Sequence, residues 1–384
     1  MAGIKKYFAK TARIIFMIKS TAFNWLYAYS RLYRHGKAIT DYYQSRPPDS
    51  RESFCYAPYK SLYFNPDGKV TSCCYNRKNV IGVYPAQTLS AIWNGKKNHK
   101  LRKHLEEDDL THGCLACFNQ LMDGNFDAIL SVNYDKIPFN DHFPSLMEFE
   151  LSNACNLECI MCNERFSSSI SRSKGLPVSK SPYDKNFINQ LISFIPYLSE
   201  AKFLGGEPFL IPVYFDIWEK IIEINPECKI FLQTNATVLN DKAKSIMERG
   251  NFSFNISLDS LSKETFENIR KNASFETIME NFNYIQHYCE RKKSFLGIIV
   301  CPIQQNRYEL ADLIKFGNTH NLAVYFNRLW TPANCALWGW DPARLLETYH
   351  YLSAIPLEFS TEVQKNNVQH FNAFLNQLYS WAKG

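Results

Sequence analysis

Apolar and polar positions follow two distinct rhythms through residues 146–330 of the chain. Short apolar runs rich in β-branched and aromatic residues are bounded by turn residues, and longer segments between them repeat apolar residues at helical spacing. Strands that alternate with helices in this way are typical of a parallel sheet with crossover helices. The pattern therefore predicts an α/β fold, with a partial (β/α)6 barrel of the TIM type over residues 140–330.

Six strands and five intervening helices are predicted within this barrel. The strands are Leu146–Leu151, Ala201–Leu204, Lys229–Thr234, Phe252–Leu258, Phe295–Cys301 and Val324–Arg328. The helical patterns lie around Asp184–Tyr197, Val213–Ile224, Asp241–Arg249, Glu276–Arg291 and Tyr308–Asn318.

A small cysteine-rich unit over residues 51–125 precedes the barrel. Two short apolar runs, Ser61–Asn65 and Lys69–Cys73, flank a Pro-Asp-Gly turn and predict a β-hairpin. A helical pattern follows around Ser90–Lys103. We therefore predict a β-hairpin/helix module ahead of the barrel.

Both ends of the chain are predicted to be helical. Residues 1–50 form a basic segment that either docks on an anionic membrane surface or packs on the body of the protein, and we favour packing. Its longest apolar run, Ile14–Ile18, is far shorter than the roughly 20 residues of a membrane span. Residues 331–384 are predicted to be a helical cap on the sheet.

Charge and cysteine usage narrow the class of protein. The net charge is +6, but residues 1–40 carry eight basic and no acidic side chains, and the remainder carries 35 basic and 37 acidic ones. A nearly neutral body argues against a nucleic-acid partner. Eight of the twelve cysteines fall into two groups with metal-site spacing. This usage predicts a reducing cytoplasm rather than disulfides.

The first cysteine group follows the first predicted barrel strand. Cys155, Cys159 and Cys162 form a C-x₃-C-x₂-C array. Three thiolates can hold three irons of a 4Fe–4S cube and leave the fourth iron open for chemistry, whereas four cysteines usually give an electron carrier. In barrel folds the carboxyl ends of the strands carry the chemistry. The array therefore predicts a reactive cluster at the mouth of the barrel.

A glycine-rich segment, Gly205-Gly206-Glu207-Pro208, follows the second predicted strand. Glycine lets the backbone approach a ligand closely, and a carboxylate can accept hydrogen bonds from an ammonium group. Together with the cysteine array, this segment resembles the radical S-adenosylmethionine (SAM) superfamily. The resemblance implies that the open iron chelates SAM, that Gly205, Gly206 and Glu207 bind the SAM amino group, and that a reductant such as flavodoxin or ferredoxin supplies an electron.

The same resemblance implies further SAM contacts. Met161 is expected near the adenine, and Asn235 closes the third strand. Ser257 and Arg270 occupy positions comparable to a serine and an arginine that contact the SAM ribose and carboxylate in anaerobic sulfatase maturases, and Asp259 closes the same strand as Ser257. The alternative for Ser257 and Asp259 is helix capping and turn formation. The alternative for Asn235 is a turn residue only.

The second cysteine group comprises Cys55, Cys73, Cys114 and Cys117, with the spacing C-x₁₂-G-x₄-C and then C-x₂-C. Four thiolates can saturate a 4Fe–4S cube, and zinc is the physical alternative. The surrounding residues resemble the SPASM and Twitch auxiliary-cluster modules, which favours a second 4Fe–4S cluster. These modules normally follow the barrel, whereas this one precedes it. Cys74 can replace Cys73 as the ligand.

The leading hypothesis is a radical SAM enzyme that abstracts a hydrogen atom from a peptide or protein substrate, as many SPASM relatives do. A small molecule or sugar precursor is the alternative substrate. A non-catalytic iron–sulfur carrier or a zinc-stapled binding protein is the alternative of another class. The intact glycine-rich segment argues against the carrier, because a carrier needs no SAM site, whereas a zinc-stapled protein would be colourless and rich in zinc.

Overall fold

The computed structural model describes residues 36–383 except 179 and 330. It divides into two compact units. Unit 1 comprises Met1–Tyr59, Tyr75–Asn79 and Lys96–Ile137, and unit 2 comprises Lys60–Cys74, Val80–Gly95 and Pro138–Gly384. Most of the predicted basic N-terminal segment lies outside the described residues. Among the described helices, none has the length and apolarity required to cross a bilayer.

Nine strands and fifteen helices organise the described residues. The strands are β1 (Ser61–Phe64), β2 (Lys69–Thr71), β3 (Gly82–Val83), β4 (Leu146–Phe149), β5 (Glu200–Phe203), β6 (Lys229–Thr234), β7 (Phe252–Ser257), β8 (Leu296–Val300) and β9 (Ala323–Phe326). The helices are α1 (36–45), α2 (Ala57–Lys60), α3 (Leu89–Trp93), α4 (Lys96–Glu106), α5 (Leu115–Met122), α6 (Ser131–Asp135), α7 (Ser168–Ser173), α8 (Lys185–Leu191), α9 (Pro212–Ile224), α10 (Asp241–Arg249), α11 (Lys263–Ile269), α12 (Phe275–Lys292), α13 (Leu310–Thr319), α14 (Pro342–Ser353) and α15 (Glu362–Lys383).

Unit 1 is helical and is held together by a buried polar core. Arg46 lies just after α1 and makes a bidentate pair with Asp135 at the end of α6, with an NH2–Oδ1 distance of 2.6 Å. The Tyr42 hydroxyl lies 2.6 Å from Ser131 Oγ, and its ring packs 4.8 Å from that of Phe54. Because a buried charge is costly unless it is paired, the Arg46–Asp135 contact fixes how the helices pack.

Unit 2 contains a single sheet in the order β3-β2-β1-β4-β5-β6-β7-β8-β9. From β4 to β9 every pairing is parallel, which confirms the α/β fold and the six predicted barrel strands. The predicted hairpin is β1 and β2, paired antiparallel. Its first strand pairs parallel with β4, so the hairpin extends the barrel sheet. The sequence pattern did not predict this extension.

One face of the sheet packs against the helices through buried aromatic side chains. Phe203 of β5 lies 4.9 Å from Phe149 of β4 and 5.5 Å from Trp218 of α9, measured between ring centroids. All three side chains are fully buried, and each such ring stabilises the fold by roughly 1.5–3 kcal/mol relative to exposure. The strand residues that alternate with these aromatic positions lie on the opposite face of the sheet, which is more polar.

The first barrel strand ends two residues earlier than the apolar run suggests. At Leu151 the backbone N–H donates to the Tyr214 hydroxyl of α9 at 2.9 Å, instead of to a neighbouring strand. This hydroxyl, which has one proton to donate, also lies 2.9 Å from the backbone oxygen of Phe149 and 2.7 Å from that of Leu204. A helix side chain therefore fixes where the chain leaves the sheet and enters the cysteine loop.

The C-terminal helices α14 and α15 lie within the predicted helical cap, and α15 makes a specific contact at the edge of the sheet. On α15, buried Asn367 accepts a hydrogen bond from the Val324 backbone N–H and donates one to the Leu322 oxygen, both at 2.8 Å. These contacts satisfy backbone groups beside edge strand β9 that have no further strand to pair with.

Candidate active site

The three cysteines of the first group lie in the loop after β4. Backbone hydrogen bonds tie this loop to the residues around the end of α11, because Ile160 N donates to Ile269 O at 2.9 Å and Glu158 N donates to Lys271 O at 3.1 Å. The Ser168 hydroxyl lies 3.2 Å from the backbone nitrogen of Cys155. The loop has no regular secondary structure, but these hydrogen bonds hold it in place on several sides. A site that must keep its sulfur atoms in fixed positions requires such support.

Burial raises the pKa of all three thiols. The values rise to about 12 for Cys159 and about 11 for Cys162, and the pKa of Cys155 is also raised. Among the described residues, no three cysteine sulfurs lie within 4.8 Å of one another. A tetrahedral thiolate shell around one ion has sulfurs about 3.8 Å apart. The loop is therefore more open than a single-ion site and suits a larger cluster, whose positive irons favour the thiolates.

The two glycines bring the loop after β5 against the cysteine loop. Gly205 has a φ of +96°, which favours glycine. A Cβ on Gly206 would lie 2.1 Å from the backbone oxygen of Ala154. The Glu207 N–H donates to that same oxygen at 2.7 Å. The predicted glycines and cysteines therefore come together through direct backbone packing.

The Glu207 carboxylate is fully buried and is held by protein donors. It accepts hydrogen bonds from Thr234 Oγ1 and the Asn235 N–H, both at 2.7 Å, and from the Phe209 N–H at 3.3 Å. Burial raises its pKa to about 7 although these hydrogen bonds favour the ionised form. Glu207 thus connects the glycine loop to the end of β6. The contact with the SAM amino group stays a prediction.

Asn235 faces the cysteine loop as well as its own turn. Its Nδ2 lies 3.8 Å from Cys155 Sγ and 3.4 Å from Asn156 Oδ1, and its Oδ1 accepts from the Thr237 N–H at 2.9 Å. The next residue, Ala236, has a φ of +56°, in the left-handed region that favours glycine. The interpretation of Asn235 as a turn residue only is therefore incomplete. The sequence analysis assigned no role to Thr237. Its position as a polar residue just after the end of a strand is the signal that could have identified it.

Asp259 and Arg270 form a buried ion pair beside the cysteines. The Arg270 Nε donates to Asp259 Oδ2 at 2.7 Å, and its NH1 lies 4.0 Å from Cys159 Sγ. Burial alone would lower the pKa of Arg270, but the charge of Asp259 outweighs it and the pKa is raised. The other Asp259 oxygen accepts from the Cys301 N–H at 2.6 Å. The pair places a fixed cation against the sulfur of a predicted cluster ligand.

Ser257 and Met161 occupy the same end of the barrel. Ser257 is the buried last residue of β7. The N-cap of the next helix, α11, is Ser262, so the capping interpretation of Ser257 and Asp259 is wrong. Met161 packs against the apolar cluster of Ile269, Cys301 and Ile303. The predicted contacts of Ser257 and Met161 with SAM stay predictions.

A row of polar residues lines the sheet face away from the packed helices. Glu148 and Lys202 are register partners on β4 and β5, at positions between the aromatic residues. Burial alone would lower the pKa of Lys202, but the charges of Glu148 and Glu200 outweigh it and the pKa is raised. On β7, Asn255 Oδ1 is buried without a hydrogen-bond partner among the described residues. This face of the sheet therefore presents the charged side chains of Glu148 and Lys202 and one hydrogen-bond acceptor, Asn255 Oδ1, that has no partner among the described residues.

The second cysteine group divides between the two units. Cys55, Cys114 and Cys117 belong to unit 1, and Cys73 and Cys74 belong to unit 2. Burial raises the pKa of the three unit 1 thiols, and the charges of Cys117 and Cys114 add to the rise for Cys55. The charge of Cys117 also adds to the rise for Cys114. The choice of Cys73 rather than Cys74 stays a prediction.

Comparison with known proteins identifies both regions. Residues 149–317 match the family model of the radical SAM superfamily, and residues 55–118 match the model of the SPASM iron–sulfur cluster-binding domain. The first match contains the cysteine loop, the glycine loop and the Asp259–Arg270 pair. The second contains all of the auxiliary cysteines, which favours iron–sulfur over zinc there.

Curated relatives match about half of this chain. A GTP 3',8-cyclase of Limosilactobacillus fermentum is 29% identical over 188 residues, which cover 47% of this chain and 52% of the relative. The molybdenum cofactor biosynthesis protein moc-5 of Caenorhabditis elegans is 25% identical, over 49% of this chain and 31% of its own length. The chain therefore spans about half or less of these relatives.

Two solved structures are also similar to this chain. The first is native anSMEcpe with bound AdoMet and Kp18Cys peptide, with a TM-score of 0.41 and 17% identity over 54% of this chain and 58% of that one. The second is Streptococcus suis SuiB bound to precursor peptide SuiA, with a TM-score of 0.39 and 16% identity over 69% and 61%. The family-model matches and the site described above identify residues 149–317 as a radical SAM region, preceded along the chain by a SPASM iron–sulfur cluster-binding domain at residues 55–118.

Proposed function

We propose that this enzyme cleaves SAM reductively and uses the resulting 5′-deoxyadenosyl radical to remove a hydrogen atom from its substrate. The observation that carries the proposal is the convergence of the cysteine loop, Gly206 and the Asp259–Arg270 pair at the carboxyl ends of parallel strands in one sheet. When bound by three cysteines, a 4Fe–4S cluster offers SAM an open iron and supplies the electron for cleavage. The barrel residues orient SAM and shield it from water.

The residues divide this work as follows. Cys155, Cys159 and Cys162 hold the cluster, and Arg270 partly balances the negative charge of the sulfurs, since its guanidinium lies 4.0 Å from Cys159 Sγ. Gly205 and Gly206 let the loop after β5 pack directly against the backbone of the cysteine loop. We propose that Glu207, Asn235, Ser257, Asp259 and Met161 supply the remaining contacts to SAM.

The SAM-cleavage proposal is tested by anaerobic reconstitution, followed by addition of dithionite and SAM. We expect wild-type protein to form 5′-deoxyadenosine and the Cys155→Ala variant to form none, because its cluster has lost a ligand. Cys228→Ala is the matched control, since Cys228 is a buried cysteine outside both groups. Wild-type protein that carries its full iron content but forms no 5′-deoxyadenosine would refute the proposal.

For the substrate, we favour a small polar molecule over the peptide or protein predicted first. Two observations support this choice. The inner face of the sheet presents Lys202, Glu148 and the unpartnered oxygen of Asn255, which suit a ligand with charged and hydrogen-bonding groups. The curated relatives include GTP 3',8-cyclases, whose named substrate is a nucleotide.

The same assay distinguishes the two classes of substrate. SAM cleavage is measured with purine nucleotides deuterated on the sugar and, separately, with cysteine- and serine-containing peptides deuterated at the β-carbon. Deuterium in 5′-deoxyadenosine from a nucleotide supports the small-molecule proposal. Deuterium from a peptide alone would overturn it in favour of the peptide.

We also propose that Cys55, Cys114 and Cys117 hold the auxiliary 4Fe–4S cluster, with Cys73 as the fourth ligand predicted from the G-x₄-C spacing. An auxiliary cluster can accept or return an electron when a substrate radical is converted to product. Radical SAM chemistry requires a reductant, and we propose flavodoxin or ferredoxin. Eight of the twelve cysteines fall into the two groups with metal-site spacing, and we propose a reducing cytoplasmic location on that basis.

A further inference from the structure

A cluster of two histidines and one aspartate lies in unit 1, apart from the cysteine sulfurs. His104 is in the last turn of α4, and Asp109 and His112 lie in the loop that follows. The Asp109 Oδ2 atom lies 2.9 Å from His104 Nδ1 and 3.4 Å from His112 Nε2. Among the described residues, these three side chains are the ones whose possible metal-ligand atoms all lie within 4.8 Å of one another.

The spacing of these donors matches a metal coordination shell. Bonds of 2.0–2.1 Å from nitrogen or oxygen to zinc imply ligand separations of about 3.3 Å in a tetrahedron and about 2.9 Å in an octahedron. The separations from Asp109 Oδ2 to the two histidine nitrogens, 2.9 and 3.4 Å, lie in this range, and all three donor atoms lie within 4.8 Å of one another. The histidine rings are stacked with centroids 3.6 Å apart, and one nitrogen of each ring lies near the same carboxylate oxygen.

Hydrogen bonds hold the aspartate ready for this role. The other carboxylate oxygen, Asp109 Oδ1, accepts from the Thr111 N–H at 3.0 Å and from the Thr111 hydroxyl at 2.6 Å. The Asp109 N–H donates to the His104 backbone oxygen at 2.7 Å, which closes the loop on the helix end. Outer hydrogen bonds of this kind orient metal-ligating carboxylates.

The two contacts inside the cluster are unequal. The 2.9 Å separation between His104 Nδ1 and Asp109 Oδ2 is an ordinary hydrogen-bond distance. The 3.4 Å separation between His112 Nε2 and Asp109 Oδ2 is long for a hydrogen bond, although the two atoms face each other. An ion bound between the three side chains would convert this loose contact into two coordinate bonds.

We propose that His104, Asp109 and His112 bind one divalent first-row metal ion, with zinc as its best-fitting member. Two imidazole nitrogens and one carboxylate oxygen form a donor set that suits zinc and iron(II). Three protein ligands leave at least one coordination position for water or an anion. Asp109 and His112 also line a cavity of about 570 Å³, together with Lys78, Leu115 and Phe118, which gives that position room.

The site would brace the segment that presents a cluster cysteine. Asn76 Nδ2 donates to the His112 backbone oxygen at 3.0 Å and lies 3.5 Å from Cys114 Sγ. Gly113 between them has a φ of +89°, and a Cβ there would lie 2.0 Å from Asn76 Oδ1. The ion would therefore fix the loop immediately before Cys114. Its ligands include no sulfur, so its occupancy can be measured separately from iron.

The test is zinc binding by the full-length, anaerobically reconstituted enzyme after brief EDTA treatment. Equilibrium dialysis against zinc is followed by analysis of zinc, iron and acid-labile sulfide. We expect wild type to bind about one zinc per chain more than the Asp109→Asn and His112→Ala variants, at equal iron and sulfide. His99→Ala is the matched control, since His99 is exposed on the same helix and should keep the zinc.

A fourth variant covers the case in which a ligand variant misfolds or loses iron. Thr111→Val keeps every ligand but removes one hydrogen bond to Asp109, and it should weaken zinc binding by about 10–100-fold. Equal zinc binding by wild type, His112→Ala and Thr111→Val would overturn the proposal. Failure of wild type to bind the additional zinc would overturn it as well.

Discussion

At the scale of single residues, the candidate site depends on polar side chains whose partners lie far away in the sequence. Glu207 was predicted from the glycine-rich segment, but its three hydrogen bonds include two from the end of β6. Arg270 and Asp259 were predicted separately as SAM contacts, and the structure makes them one buried ion pair. The sequence predicted that these residues belong to the site, but it did not predict which side chains would pair with one another.

Glu207 gives a prediction about pH. Burial raises its pKa from an ordinary 4.5 to about 7, so between these values the folded protein binds a proton that the unfolded chain releases. Raising the pH from 5 to 8 should therefore remove about 2–3 kcal/mol of stability contributed by this group in SAM-free enzyme. Because glutamine does not titrate, Glu207→Gln should gain stability relative to wild type over this range.

The measurement is the midpoint of anaerobic thermal unfolding of both proteins at pH 5, 6.5 and 8. The difference between the two midpoints should shift in favour of the variant as the pH rises. All other titrating groups are shared, so they cancel in the comparison. A difference that does not change with pH would mean that Glu207 is ionised throughout.

At the scale of secondary structure elements, the site is made by strand ends. The loops after β4, β5 and β6 meet because parallel strands place their carboxyl ends at one edge of the sheet. The hydrophobic pattern predicted all of these strands, so it also predicted which loops would be neighbours. It did not predict the Tyr214 hydroxyl contact that ends β4 two residues early.

Gly206 tests how closely two of these loops must approach. A Cβ at this position would lie 2.1 Å from Ala154 O, a backbone atom that can move only with the cysteine loop. A displacement of about an ångström can cost about 100-fold in rate. We therefore expect Gly206→Ala to form 5′-deoxyadenosine about 100-fold more slowly than wild type.

Iron content and the rate of 5′-deoxyadenosine formation are measured on the same Gly206→Ala preparation. Gly339→Ala is the control, because a Cβ there meets nothing within 4 Å. Wild-type activity in Gly206→Ala would show that the two loops tolerate separation. A loss of activity in Gly339→Ala of the same size would show that the effect is not local.

At the scale of the whole molecule, the SPASM and radical SAM matches imply two separately ligated iron–sulfur centres on one chain. Two 4Fe–4S clusters correspond to about eight irons per chain. Replacing both Cys114 and Cys117 by alanine should leave about four, because the cysteine loop after β4 is unchanged. Iron and acid-labile sulfide are counted after identical anaerobic reconstitution.

The complementary variant replaces Cys155 and Cys159 and should also leave about four irons, this time those of the auxiliary cluster. Cys228→Ala should retain all of them. An unchanged iron content in the Cys114→Ala/Cys117→Ala double variant would exclude these residues as ligands, whatever the activity of the enzyme.

The sequence by itself determined the chemistry of this protein and most of its strands. Cysteine spacing, the glycine-rich segment and the strand–helix rhythm are local patterns, and local patterns are readable because ligand spacing and backbone periodicity act over a few residues. These patterns were sufficient for the barrel, for both cysteine groups and for the class of enzyme.

Only the tertiary structure decided how those local elements are joined. The hairpin β1–β2 joins the barrel sheet through parallel pairing of β1 with β4, across more than eighty residues of chain. Glu207 accepts a hydrogen bond from the residue after β6, and Asp259 forms an ion pair with Arg270. Asp109 contacts both His104 and His112. Such contacts depend on which surfaces pack together and which buried polar groups must find partners, and no short stretch of sequence encodes that choice.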